Sequence, residues 1–227
     1  MSKPSEITIA AKCAPVESAL DAVVEAGLTA AELYTNNSWL NKIDEIVKTC
    51  GKYPLRYALH APASGYEPDV IFNAAKYIKA EVMVFHNIYW EDEWKYITEK
   101  FSPLKCKLCM ENVYSAIEPV KYMRRFGIGR CLDLEHLIME VNGIFEEPFF
   151  DLIKESSHIH MTGYVFGSKL WHTPIHHAPE QGIYFLNLLE KAGYTGFVVS
   201  EAKESYQTRN EFKALYDFFK NWKDSRS

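Results

Sequence analysis

Eight times along its 227 residues the chain passes from a short apolar stretch, through a turn, to a longer amphipathic one. The apolar stretches run Ile7 to Cys13, Ala30 to Tyr34, Leu55 to His60, Val82 to His86, Cys106 to Glu111, Ile128 to Asp133, His158 to Met161 and Phe197 to Glu201. The fourth, V-M-V-F-H, has no polar residue before its last, as expected of a parallel strand covered on both faces. Strands alternating with helices imply a parallel sheet with helical crossovers. Eight such units without a linker or low-complexity break predict an α/β fold, a single (β/α)8 TIM barrel over residues 1–227. An open doubly wound sheet is the alternative, but no G-x-G-x-x-G follows the first strand.

The helical stretches carry ordinary start and stop signals. Pro15 opens the first, with Val16, Leu20, Val23 and Val24 on one face, and Gly27 ends it. Asn37 or Ser38 caps a second, which turns Leu40, Ile43, Ile46 and Val47 inward and stops at Gly51. Further helices are expected over Pro68 to Lys79, Trp90 to Phe101, Ala116 to Phe126, onward from Asp133 to Val141, and over Pro148 to Glu155, Ile183 to Ala192 and Arg209 to Trp222.

In a barrel of this kind the chemistry sits at the carboxyl ends of the strands. The third strand ends in His60, the fourth in His86, the fifth in Glu111, and the sixth in Asp133 with His136 just beyond. The seventh carries His158 and His160, the eighth ends in Glu201, and His172, His176 and His177 follow the seventh in a polar loop. Thus all eight histidines lie at or near this one end. Carboxylates converging there would repel each other and bury polar groups, and a divalent cation resolves both problems. Oxygen and imidazole donors together suit Mn, Mg, Co or Zn.

Composition limits the other choices. Hydrophobic residues are 48% and charged residues 24%, an ordinary globular mixture. A net charge of −5 counts against nucleic acid as a partner without excluding a local basic patch. No apolar run reaches the ~18 residues of a membrane span, and Met1 to Glu6 lack the apolar core of a signal peptide. An odd number of cysteines, five, points to reduced thiols and a cytoplasmic location. Cys106 and Cys109 form a C-x-x-C that reads as buried strand rather than as a redox or zinc motif. Lys169, Lys203 and Arg130 are read as solvated surface rather than as phosphate ligands. The tryptophans Trp39, Trp90, Trp94 and Trp171 are expected mainly in the core, with a homo-oligomer surface as the other use. Tyr66, Tyr89, Trp90, Tyr164, Phe166 and Trp171 lie near loops that could wall a pocket.

Five short motifs, spaced about one barrel unit apart, carry a resemblance over nearly the whole chain. They are L-H-A-P at Leu59 to Pro62, M-E-N at Met110 to Asn112, L-D-L-E-H at Leu132 to His136, H-I-H at His158 to His160, and V-V-S-E at Val198 to Glu201. The set resembles the xylose-isomerase-like TIM barrels, which include sugar isomerases, 3-epimerases and the endonuclease IV family (AP endonuclease family 2). For the epimerase branch the resemblance implies one metal on Glu111, Asp133, His160 and Glu201, with His136 on the substrate. For the endonuclease branch it implies two or three zinc ions and adds His60, His86 and His136 as ligands. That branch also carries an Asp-x-His in the loop after the seventh strand. Here the aspartate is missing, since Leu170 precedes His172 by two residues and Pro174 precedes His176 by two.

Two functions follow. One is a divalent-metal-dependent isomerase or epimerase of a small sugar, polyol or hydroxy-carbonyl compound, with no nucleotide cofactor. Glu111 and Glu201 would take and return a proton through an enediolate, while His60, His136, His172, His176 and Trp171 bind substrate. The alternative is a zinc-dependent phosphodiesterase or AP endonuclease. A third, a metal-binding barrel with a purely binding role, keeps the site without the chemistry.

Overall fold

The computed structural model describes residues 7–65, 67–117, 119–145 and 147–226. Eight strands close into a parallel barrel in sequence order. They are β1 (Ile7–Cys13), β2 (Ala30–Tyr34), β3 (Arg56–His60), β4 (Val82–His86), β5 (Lys107–Glu111), β6 (Gly129–Asp133), β7 (Ser156–Met161) and β8 (Gly196–Ser200). Closure is made by β8 on β1, with Ile7 opposite Gly196 and Ala11 opposite Ser200. Around the barrel lie α1 (Glu17–Glu25), α2 (Asn37–Leu40), α3 (Ile43–Cys50), α4 (Pro68–Ile78), α5 (Glu91–Phe101), α6 (Val120–Phe126), α7 (Leu134–Glu140), α8 (Glu147–Glu155), α9 (Pro179–Lys191) and α10 (Arg209–Asp224).

Side chains alternate across each strand, so residues two apart face the same side. One set fills the barrel with mostly small groups around one aromatic, Phe197: with it, Ala10, Ala30, Ala58, Val82, Val84, Cys109, Cys131 and Val199 form a cluster of their own. The other set, including Leu33, Leu59, Met83, Phe85, Leu132 and Ile159, meets the helices in the larger core. Lys12, Glu32, His60, Glu111, Asp133 and His160 continue the first set toward the carboxyl rim, two residues beyond Ala10, Ala30, Ala58, Cys109, Cys131 and His158. The barrel therefore grades from apolar below to charged above.

Several local expectations change. The helix expected from Asn37 or Ser38 is two, α2 and α3, and its cap is Asn36, whose Oδ1 accepts the Trp39 N–H at 2.9 Å. Helix α6 starts at Val120, not Ala116, and α9 starts at Pro179, not Ile183, with proline in the first helical turn where its missing N–H costs nothing. Arg130 is not a surface cation. It lies on the helix-facing side of β6, 1% exposed, and donates from Nη1 to the Ala116 carbonyl. Trp94 is fully buried against Phe85 and Tyr89, whereas Trp90 is 78% exposed. All five cysteines are free; Cys109 faces the barrel interior and Cys106 precedes β5. No helix among the described residues is long and apolar enough to cross a membrane.

The loop after β7 is pinned by close backbone packing. Gly163 donates its N–H to the Thr173 carbonyl at 2.8 Å, and a Cβ on Gly163 would lie 2.3 Å from the Pro174 carbonyl oxygen. Backbone cannot yield as a flexible side chain does. Gly163→Ala is therefore expected to destabilise the protein by about 1–3 kcal/mol in urea titration, the usual cost of overpacking. An unchanged midpoint would mean that this loop is not held against the barrel.

Candidate metal centre

Four side chains from four strand ends meet at one point. Glu111, Asp133, His160 and Glu201 each present a ligand atom, all within 4.8 Å of one another. His160 Nδ1 stands 3.7 Å from Glu111 Oε1, 3.9 Å from Asp133 Oδ2 and 2.6 Å from Glu201 Oε2. Asp133 Oδ2 is buried without a hydrogen-bond partner, and His160 Nδ1 and Glu201 Oε2, 2.6 Å apart, have no partner but each other. Buried polar atoms are ordinarily paired. Lone-pair donors converging with nothing between them are the arrangement a cation satisfies.

Each ligand is aimed from behind. Asp133 ends β6 and caps α7: its Oδ1 accepts the His136 N–H at 2.7 Å, leaving Oδ2 for the cluster. Asn112 locks the same corner, accepting the Asp133 N–H at 2.7 Å and donating to its carbonyl at 3.0 Å. His160 is aimed by Glu32, whose oxygens lie 3.0 and 3.2 Å from Nε2. With Nε2–H donated there, the lone pair of Nδ1 faces the cluster. Glu32 also meets His158 Nε2 at 2.7 Å, and both Glu32 and His158 are fully buried. Lys12 completes the group, hydrogen-bonded to Glu201 Oε1 and 3.6 Å from Glu32 Oε1.

The charges respond to this packing. Burial pushes the Asp133 carboxyl up to about 7; His136 opposes the shift while Glu201 and Glu111 add to it. Burial also works against the Glu32 carboxylate, but His160, His158 and Lys12 together hold its pKa well below the ordinary value. Lys12 is likewise disfavoured by burial, and Glu201, Glu32 and Glu111 override that to keep it an ammonium.

Glu111 faces a second group as well. Its Oε2 lies 2.8 Å from His60 Nε2 and 3.3 Å from His86 Nε2, a trio that could also hold a cation. His136 is nearby, with Nδ1 2.9 Å from the Asn112 carbonyl and 3.6 Å from Glu111 Oε1. The structure thus brings Glu111, Asp133, His160, Glu201, His136, His60 and His86 together. His172 reaches the edge of this set, its ring centroid 6.4 Å from that of His136. It is held there by a φ of +48° and by its N–H on the buried Glu135 at 3.0 Å.

His176 goes elsewhere. Its Nε2 and that of His177 meet Glu211 Oε2 on α10, at 2.8 and 3.0 Å. Trp171 stacks on Tyr164 and is 39% exposed. Of the other loop aromatics, Phe166 is exposed, Tyr89 and Tyr164 are buried, and Tyr66 lies outside the described residues.

Lys12 and Glu32 escape a reading of strand ends because they sit within strands. Their signal was a single charge in an alanine-rich apolar stretch, A-A-K-C and A-A-E-L, at inward parity.

No family model matches the chain, and no curated protein matches it. Solved structures do. The TTHB071 protein from Thermus thermophilus, soaked with ZnCl2, superposes with a TM-score of 0.64 at 16% identity, covering 95% of this chain and 98% of that one. D-allulose 3-epimerase from Methylomonas sp., in complex with D-allulose, gives 0.65 at 12% identity over 97% and 99%. An L-ribulose 3-epimerase gives 0.61 at 12% over 96% and 94%. At these identities the likeness establishes the fold alone, a closed parallel (β/α)8 barrel.

Two outcomes test the centre by titration calorimetry with Mn2+. Glu32→Gln, which loosens His160 without removing a ligand, is expected to weaken binding about 10- to 100-fold. Unchanged affinity would mean His160 is not a ligand. Wild-type affinity is expected to rise with pH through about 7 and beyond, since Asp133 titrates near 7 and, against the effect of burial, the surrounding carboxylates hold His160 protonated well above its ordinary range. The sign follows because a cation must displace the proton that Asp133 holds below that pH.

Proposed function

We propose that the protein is a divalent-metal-dependent isomerase or epimerase of a small neutral sugar, polyol or hydroxy-carbonyl compound. The observation that carries this reading is the convergence of Glu111, Asp133, His160 and Glu201, with Asp133 Oδ2 buried and unpartnered at its centre. The structural likeness to D-allulose and L-ribulose 3-epimerases supports the substrate class. Charge supports neutrality. Four clustered carboxylates, Glu32, Glu111, Asp133 and Glu201, face a single lysine, which favours a neutral substrate over an anionic one.

A bound cation there would polarise a carbonyl and its neighbouring hydroxyl, making the C–H between them acidic enough to transfer. Glu111 and Glu201 come from strands on different sides of the cluster. One would take the proton from carbon and the other would supply one, so that a stereocentre inverts or a carbonyl migrates through an enediolate. His136 and His172, on the rim above, would hold substrate oxygens, with His60 beside Glu111. We assign His176 a role in fixing the loop after β7 rather than in touching substrate, since it is committed to Glu211. The five free cysteines accord with a reducing, cytoplasmic setting.

A phosphodiesterase with two cations is the second reading. It is favoured by His60, which meets acceptors at both nitrogens, the Ala61 carbonyl and Glu111 Oε2, each at 2.8 Å. The negative charge balance weighs against a nucleic-acid substrate.

Elemental analysis of the purified protein, then assays on ketohexoses and ketopentoses in D2O, separates the two. One Mn, Mg, Co or Zn per chain, with deuterium entering the product carbon, is the expected result. Glu201→Gln should then cut kcat by about 10²- to 10⁴-fold. Two or three zinc ions per chain with phosphodiester cleavage would overturn the isomerase reading.

A further inference from the structure

Lys12 is not needed to complete the metal centre and would weaken it. An ammonium beside Glu201 repels a cation bound by the same carboxylate. Glu32 takes its two imidazole hydrogen bonds on Oε2, and Lys12 Nζ lies 3.6 Å from Oε1, an ion pair outside hydrogen-bond distance. An ammonium has three N–H donors. Lys12 is 8% exposed, and among the described residues its one hydrogen bond goes to Glu201 Oε1. Two donors on a nearly buried cation are therefore uncommitted. Their position is defined by Glu201, whose other oxygen belongs to the converging set and whose side chain, 15% exposed, is the most open of the four.

We propose that Lys12 is a catalytic residue of the reaction assigned above, donating from Nζ to the substrate oxygen on which negative charge develops. This rests on the isomerase reading. The step balances within the site. The C–H bond breaks and its proton goes to a glutamate carboxylate. The electron pair left on carbon forms the C=C bond, and the carbonyl π pair moves onto oxygen. Lys12 keeps its own proton and accepts the oxyanion as a hydrogen-bond partner. The net charge of the site does not change, so what the step requires is a donor placed at the new anion, which is what two free N–H groups beside Glu201 supply. A lysine that served only as a counter-ion would also favour a charged mimic. Lys12→Arg, which keeps the charge and moves the donors, separates the roles. Affinity for an enediolate mimic is expected to fall there as in Lys12→Met, and wild-type affinity in Lys12→Arg would overturn the proposal.

The test compares two probes on the Mn2+-loaded protein by calorimetry. Glycolohydroxamate mimics an enediolate; xylitol is a neutral polyol. Lys12→Met is expected to weaken hydroxamate binding about 10- to 100-fold, the loss of one charge-assisted hydrogen bond. Xylitol binding should change less than about threefold, and Mn2+ affinity should hold or rise because a repelling charge is gone. Equal losses for both probes, unchanged hydroxamate affinity, or a fall in Mn2+ affinity would each overturn the proposal. Should Lys12→Met fail to fold, Lys12→Gln keeps a donor for Glu201 without the charge and is read by the same criteria. Wild-type protein that binds neither probe and exchanges no substrate proton would sink the isomerase reading and this inference with it. Tight hydroxamate binding by wild type and by Lys12→Met alike sinks the inference alone.

Discussion

The arrangement of the site depends on one buried carboxylate, Glu32. It sits inside the barrel on β2, fully enclosed, with His158 and His160 on its oxygens and Lys12 close by. An isolated carboxylate at such depth would cost several kcal/mol. Its partners offset that cost only in one geometry, so the cluster is fixed as a unit. By accepting the Nε2–H of His160 as a hydrogen bond, Glu32 decides which nitrogen faces Glu111, Asp133 and Glu201. Competence to hold a cation at the rim is therefore set one layer below the rim.

The layer beneath makes room for this. Barrels of this class commonly fill their interiors with bulky branched side chains. Here β1, β2 and β3 contribute Ala10, Ala30 and Ala58 to that layer. The volume they leave lies directly under Lys12, Glu32 and His60, where an ammonium stem and two or three imidazoles must fit. Bulk returns on the opposite faces of the strands, where Leu33 on β2, Leu59 on β3 and Phe85 on β4 pack under the helices and close the barrel from outside. Small-inside and large-outside is thus one pattern serving both closure and site.

Most of this was legible because parallel strands expose their chemistry at one end. His60, His86, Glu111, Asp133 and His160 end or nearly end apolar runs, and register alone places them together: His86 is opposite Glu111, and Asp133 is opposite His160. Lys12 and Glu32 follow the same period-two rule one step deeper, so the information was present in the alternation and lost only by attending to last residues. The loop histidines differ in kind. His176 and His177 are placed by Glu211, about 35 residues later on α10, and no local pattern encodes which helix face will stand beside a loop. Arg130 shows the same limit, because its burial follows from the path of the chain between β5 and α6 rather than from its own strand.

The number of cations comes down to His60. Its Nδ1 meets the Ala61 carbonyl and its Nε2 meets Glu111 Oε2, both at 2.8 Å. A neutral imidazole has one N–H and can satisfy only one of these acceptors. A proton shared across the Glu111 contact would satisfy that oxygen and leave the carboxylate unbridged by metal. A second cation shared with His86 also satisfies Glu111 Oε2, but it ties down the second oxygen of that carboxylate and removes it from proton transfer. The isomerase and phosphodiesterase readings are therefore two ways of resolving one contact. Lys12 adds a positive charge on the opposite flank of the cluster, and that charge opposes each cation the carboxylates draw in.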